Sequence, residues 1–360
     1  MYQFSALEQI QAEQPRLYEA IENLRSKSAY GAMLIDCAVD LGVKIKIDEN
    51  LPCAGVMGGW KVGGPFIAVN PEYADRFEEV IAHEVFHVVQ FSKHGLRLPN
   101  TEGSLDNLIK TLVFCEAAAQ TAGVRACFEI KLNGNEAPFK QSKYAEHSIK
   151  KYGWLFSVFE KGFETAKASG CSTSDALDEA SMQTIKAYTE NHELIKAYTQ
   201  NLMFNYLLRT HQQKYALELP SEVFSSEYVE GFLKGPDGRK IAPMYKVDQG
   251  DLPAFKAKPM WRKMVDWADS QRKLSFIELE DTEKKEIEEH LNQTSNPFAG
   301  LSVRDVLVRH ADIAREHNIT QSGQAIFHVL GAMAGTEASR QMCFDFEPKN
   351  TNHPMKFPFS

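Results

Sequence analysis

PFIAVNPEYADRFEEVIAHEVFHVVQ, residues 65–90, changes its period part-way along. Its first six residues are a short apolar run suited to a strand. Asn70 then offers a side-chain cap, and Pro71 stands at the first helical position, where a missing N–H costs nothing. From there the run reads as one helix in which Val80, Ile81, Val85, Val88 and Val89 supply a full apolar set. Into that helix the sequence sets two histidines four apart, His83 and His87, with Glu84 beside the first.

Positions four apart on an α-helix differ by about 40° in direction and about 6 Å in height, so His83 and His87 project from one face and can reach one ion. Glu84 lies about 100° further round and flanks that ion without ligating it. Zinc takes imidazole nitrogens at about 2.0–2.1 Å, and a free carboxylate alongside can accept a proton from water acidified by the metal. With 11 histidines in 360 residues, H-E-x-x-H arising by chance is a rare event, and the apolar face is already complete without the histidines.

A third ligand is needed. A histidine six residues after His87 would serve, but that position is Lys93, and His94 falls one residue late in a loop. The stretch FCEAAAQTAG, residues 114–123, places Glu116 before alanines 117, 118 and 119. Small residues let a second helix come close, and a carboxylate in such a packed apolar run needs a partner. Glu116 is therefore the favoured third ligand, whereas capping or solvation accounts for Glu102 and Asp106. Gln120, one turn after Glu116, could bond a ligating imidazole from outside, and Gln90 could do the same from the histidine helix, a surface glutamine being the ordinary reading of both.

Around this centre the pattern is helical. Leu7, Ile10, Leu17, Ile21 and Leu24 predict two opening helices with a break at Pro15. VKIKID, residues 43–48, alternates as a strand. AGVMGGWKVGG followed by PFIAVN reads as two strands joined by a glycine-rich turn. A helix follows from about Leu105 to Lys131, and further helical segments run to about 234 with breaks near Gly170, Asn191 and Pro220. Residues 235–256 are rich in Gly, Pro and charge, as in a linker or long loop. The expected fold class is α+β, predominantly α-helical, with a small sheet packed beside the histidine helix. The expected organisation is a catalytic domain over 1–234 with its core at 43–130, a linker or loop at 235–256, and a C-terminal helical region at 257–360.

Composition narrows the function. A net charge of −8 from interspersed acids and bases leaves no basic stripe for phosphate backbones, so nucleic acid is not an expected partner. The N-terminus lacks the basic and apolar regions of a secretory signal, and no apolar run approaches the length that spans a bilayer. Six scattered cysteines suit a reducing compartment. The expectation is a cytoplasmic protein, or one exported without a cleaved signal, such as a secreted effector. VMGGWKVGG lacks the Gly-Lys-Ser/Thr ending of a phosphate loop.

Residues 65–90, followed by CEAAAQTAG, resemble the gluzincin type of zinc metallopeptidase, and more narrowly a bacterial metallopeptidase family known largely from genome sequences. The resemblance covers about residues 43–130. It implies His83, His87 and Glu116 as ligands of one zinc per chain and Glu84 as general base. It also implies that the strand near Phe66–Asn70, or its hairpin partner near Gly55–Gly59, pairs with an extended peptide. Ala118 and Gln120 stand where an acidic residue often follows the ligand glutamate, and Phe86 stands where an arginine is expected between the histidines. The activity implied is hydrolysis of a peptide bond in a protein substrate. A helical interaction module with an inactive zinc site, and a zinc hydrolase of a non-peptide amide or ester, are the alternatives from other classes. For the oxyanion the chain offers Tyr144, His147, Tyr206, Arg209 and His211, with no residue signal to choose among them. The sequence leaves the oligomeric state open.

Overall fold

The computed structural model describes residues 2–4, 6–51, 53–58, 64–96, 105–144, 152–195, 198–199, 226–247, 252–257 and 265. The chain forms two compact units, one from residues 1–98, 111–191 and 224–252 and the other from 99–110, 192–223 and 253–360. In the second, Lys110 pairs with Asp106 at 2.8 Å and Thr199 donates to the Ile195 carbonyl at 2.7 Å. Its short helix Pro253–Ala257 buries Ala254 and Phe255.

The first unit opens with strand β1 (Tyr2–Gln3) and helices α1 (Leu7–Glu13), α2 (Pro15–Lys27) and α3 (Ala29–Asp40). These are three helices, not the two expected. Pro15 starts α2 at the predicted break, and Ser28 makes a second break by capping α3, its hydroxyl accepting from the Gly31 N–H. Ile10, Leu17, Ile21 and Leu24 are fully buried, as their spacing predicts.

Strands β2 (Lys44–Ile47), β3 (Gly55–Gly58) and β4 (Phe66–Val69) join β1 in a mixed sheet of order β1-β2-β4-β3. β2 runs parallel to β4, and β3 runs antiparallel to it with Val56 opposite Ala68. β4 lies between neighbours on both sides, and Ile67, Ala68 and Val69 are all buried, which explains why it reads as a continuous apolar run without alternation. β3 is left at the edge.

Asn70 caps the next element as expected, its side chain accepting from the Glu72 N–H at 2.9 Å with Pro71 in the first turn. The helix is not continuous, however. Pro71–Arg76 is a 3₁₀ segment with non-helical Tyr73 (φ −109°, ψ 25°), and the α-helix proper, α4, is Phe77–Val88. A single π turn, Val89–Lys93, follows. Helix α5 (Leu105–Leu132) is 28 residues long. Beyond it come α6 (Ala137–Tyr144), α7 (Gly153–Ala168), α8 (Thr173–Thr189) and α9 (Ser226–Gly231). Gly170, at φ 86°, turns the chain between α7 and α8. Among the described residues helices predominate and one small sheet sits beside α4, the expected α+β class.

Residues 224–252 belong to the same compact unit as α4, and Phe232, Leu233, Ile241 and Ala242 are buried. Of residues 235–256, the described stretch 235–247 packs Ile241, Ala242 and Val247 into this unit. Its Gly and Pro make turns such as the Gly235 N–H to Arg239 carbonyl bond at 2.8 Å. The C-terminal helical region expected over 257–360 lies outside the described residues save Ala257 and Val265.

Candidate metal centre

α4 and α5 pass each other closely because α5 presents small residues. A Cβ added at Gly123 would lie 2.9 Å from the Glu79 carbonyl oxygen, and Ala118, Ala119 and Ala122 are buried nearby in sequence. Gln120 on α5 donates to Glu79 on α4 at 2.8 Å, while Glu116 meets His83 and His87, so the helices run antiparallel. Glu116 is thereby brought to the histidine face.

The two imidazole Nε2 atoms are 3.1 Å apart, His83 Nε2 is 3.6 Å from Glu116 Oε2, and His87 Nε2 is 3.6 Å from Glu116 Oε1. Four ligands at about 2.0–2.1 Å in a tetrahedron stand about 3.3 Å from each other, so this triangle has the size of one tetrahedral face. One ligand atom from each of the three residues lies within 4.8 Å of the others. Burial pushes the His83 imidazole down to about 4, the neighbouring His87 adding to the effect, which leaves His83 neutral with a lone pair to offer. His87 is nearly enclosed, whereas the Glu116 side chain is 27% exposed, so the site opens on the carboxylate side. The donor set, two imidazoles and a carboxylate with an open fourth direction, fits a catalytic rather than a closed structural zinc site.

Glu84 is buried beside the edge of the sheet. A Cβ at Gly55 would stand 3.0 Å from Glu84 Cγ, 3.1 Å from its Oε1 and 2.6 Å from Val80 Cγ1, so only glycine lets β3 lie this close to α4. The Met57 backbone N–H of β3 lies on the Glu84 carboxylate's side and favours its ionised form. Burial pushes that carboxyl up to about 7; His87 and the Met57 N–H act against the rise and Glu116 adds to it.

Behind the metal face, His87 Nδ1 is 2.8 Å from Gln90 Oε1. Gln120 departs from expectation: its recorded partner is Glu79 and not an imidazole, because Glu79 stands one turn before His83 as Gln120 stands one turn after Glu116. Glu79 also takes two hydrogen bonds from Arg76, each 2.9 Å. Burial alone would raise the Glu79 carboxyl; the Arg76 guanidinium, with Gln120, outweighs it and holds the group below the usual glutamate range.

His94 does not turn to the histidine pair; its Nε2 is 3.0 Å from the Gly235 carbonyl. Asp106 pairs with Lys110 in the other unit, and Glu102 lies outside the described residues. Of the oxyanion candidates, Tyr144 is 60% exposed at the end of α6, and His147, Tyr206, Arg209 and His211 lie outside the described residues. Glu79, Met57 and Gly55 are the site neighbours that sequence reasoning did not single out. Only Glu79 had a usable signal, its place four residues before His83.

The residues of the site and its supports thus all belong to the chain's first unit. Residues 5–242 match a family described as "Putative metallopeptidase family (DUF6782)", and the chain belongs to this family. The match spans well over half of the sequence and contains every residue of the site. No curated protein and no solved structure matches the chain.

Proposed function

We propose that the protein is a zinc-dependent endopeptidase of the gluzincin type. In this reading His83, His87 and Glu116 hold one zinc ion, Glu84 is the general base, and the target is a peptide bond in a protein or peptide substrate. The observation that carries the reading is the convergence of the three ligand atoms at tetrahedral spacing beside a buried, unligated carboxylate. A zinc ion bound there supplies Lewis acidity, making water more acidic and the scissile carbonyl more electrophilic.

The chain's own groups do the rest. Glu84 accepts a proton from the attacking water and delivers it to the departing amine nitrogen. Its high proton affinity in the metal-free site suits both halves of that cycle, and a cation on the neighbouring imidazoles favours the ionised form that starts it. The Met57 N–H, which favours the ionised carboxylate, comes from β3, an edge strand of the sheet. An extended substrate segment lying along β3 would meet the base directly, its backbone groups paired by the strand. Among the described residues no helix is long and apolar enough to cross a membrane.

The test is zinc content per chain, measured together with cleavage of an unfolded protein substrate by wild type and Glu84→Gln. One zinc in each, with cleavage lost by about 10²-fold or more in the variant, is the expected result. Zinc bound without cleavage of peptides would favour a structural site, and cleavage confined to ester or non-peptide amide probes would redirect the substrate class. No zinc in protein prepared without chelator would overturn the reading.

A further inference from the structure

Gln90 is completely buried at the π turn that follows α4, and every polar atom of its side chain has a partner. Its Nε2 faces two backbone carbonyls, those of Cys115 at 3.1 Å and Phe232 at 2.8 Å. Its Oε1 faces His87 Nδ1 at 2.8 Å and the Cys115 thiol at 3.2 Å. Carbonyl oxygens only accept, so the amide NH₂ must point at them and the amide oxygen must point at the ring. An oxygen acceptor 2.8 Å from Nδ1 requires the proton to be there. The lone pair of a neutral His87 is then on Nε2, the atom that stands 3.1 Å from His83 Nε2 and 3.6 Å from Glu116.

We infer that Gln90 is a positioning residue for the metal centre: its amide, clamped by the Cys115 and Phe232 carbonyls, fixes His87 as the Nδ1–H tautomer with Nε2 presented for ligation. The inference rests on the proposed metal site. It also gives a role to the segment after α9, because Phe232 lies 142 residues beyond Gln90 in the chain. The same segment receives His94 through the Gly235 carbonyl and Arg125 through the Ile241 carbonyl. It lies within the family match, which ends at residue 242.

Zinc affinity of the full chain, measured by competition with a chromogenic chelator, separates this role from mere packing when read beside the thermal midpoint of the zinc-free protein. Gln90→Leu removes both the acceptor for Nδ1–H and the donors to the carbonyls, and should bind zinc about 10–100-fold more weakly. Gln90→Glu retains an acceptor for Nδ1–H but sets a carboxylate against two carbonyls, so it should melt at lower temperature than wild type while binding zinc more tightly than Gln90→Leu. A purely structural glutamine predicts affinities that fall in step with the midpoints, and that order, or equal affinity in all three proteins, overturns the inference.

Should neither variant fold, imidazole ¹⁵N spectra of zinc-loaded wild type decide it. A proton on His87 Nδ1 supports the assignment, and a proton on Nε2 with metal at Nδ1 overturns it. Wild type that binds no zinc overturns the proposed function and this inference together, whereas zinc-binding wild type with unaffected variants overturns this inference alone.

Discussion

Gly123 packs on the backbone carbonyl of Glu79: a Cβ at position 123 would come within 2.9 Å of that oxygen and 3.2 Å of the Glu79 Cγ. The contact sets how near α5 stands to α4, and hence how near Glu116 stands to the two histidines. Gly123→Ala should push the helices apart by a few tenths of an ångström or more. Overpacking of this kind costs about 1–3 kcal/mol. Chemical denaturation should register that loss, and zinc competition should register weaker binding, because the ligand triangle is widened on the Glu116 side. Wild-type affinity in the variant would mean that the site does not feel the helix spacing.

Gly55 acts on the other flank. A methyl group there meets Val80 and Glu84 at 2.6–3.1 Å, so Gly55→Ala should displace β3 or the Glu84 carboxylate. Neither His83, His87 nor Glu116 is touched. Steady-state kinetics should therefore show kcat reduced by about tenfold or more with zinc content near wild type, a misplaced base being costly even when the metal is in place. Loss of zinc in step with kcat would contradict this division of labour.

The buried Arg76–Glu79 pair predicts a pH dependence with a definite sign. Glu79 titrates below its ordinary range when folded, so as the solution is acidified the unfolded chain takes up this proton first. The pair's contribution is complete above the ordinary glutamate range and is lost as pH falls through the lower, folded value. Urea unfolding at a series of pH values should show stability declining on the acid side. Glu79→Gln should flatten that limb, lowering stability by about 3–5 kcal/mol at neutral pH, where it leaves Arg76 buried without its charge partner, and by progressively less as the pH falls.

Zinc should act as a ligand of the folded state. At a free concentration 100 times its dissociation constant it adds about 2.7 kcal/mol, so chelation should lower the thermal midpoint and zinc should restore it. Glu116→Ala should lose most of that response while unfolding at a similar temperature when metal-free, because Glu116 is part-exposed. An undiminished zinc response in the variant would remove Glu116 from the ligand set.

The parts of this molecule that were legible in the sequence are those written in local periodicity and side-chain type. HEVFH on a capped helix, the β3–β4 pair flanking glycine-rich sequence, and a carboxylate followed by three alanines all declare themselves within a few residues. The 3₁₀ start and π end of the metal helix did not, since Tyr73 and Val89 have no side-chain signature for either. The break at Ser28 was equally hidden, its cap looking like any helix-surface serine. Nor could Gln120 be placed correctly: its partner Glu79 is 41 residues away and looks like one of many surface acids until α4 and α5 are brought together. The Gln90 clamp was still less accessible, because it uses backbone carbonyls, which every residue has.

The same clamp bears on the order in which the chain can assemble. His83 and His87 become neighbours as soon as one helix forms, and Glu116 joins them after a closure of about thirty residues. The Phe232 carbonyl arrives only when a loop of 142 residues has closed, among the more demanding contacts of the unit in entropy. Synthesis proceeds from the N-terminus, so a growing chain can bring His83, His87 and Glu116 together well before the Phe232 carbonyl has been made. The hydrogen bond that completes the Gln90 clamp is thereby deferred until the segment around Phe232 has docked.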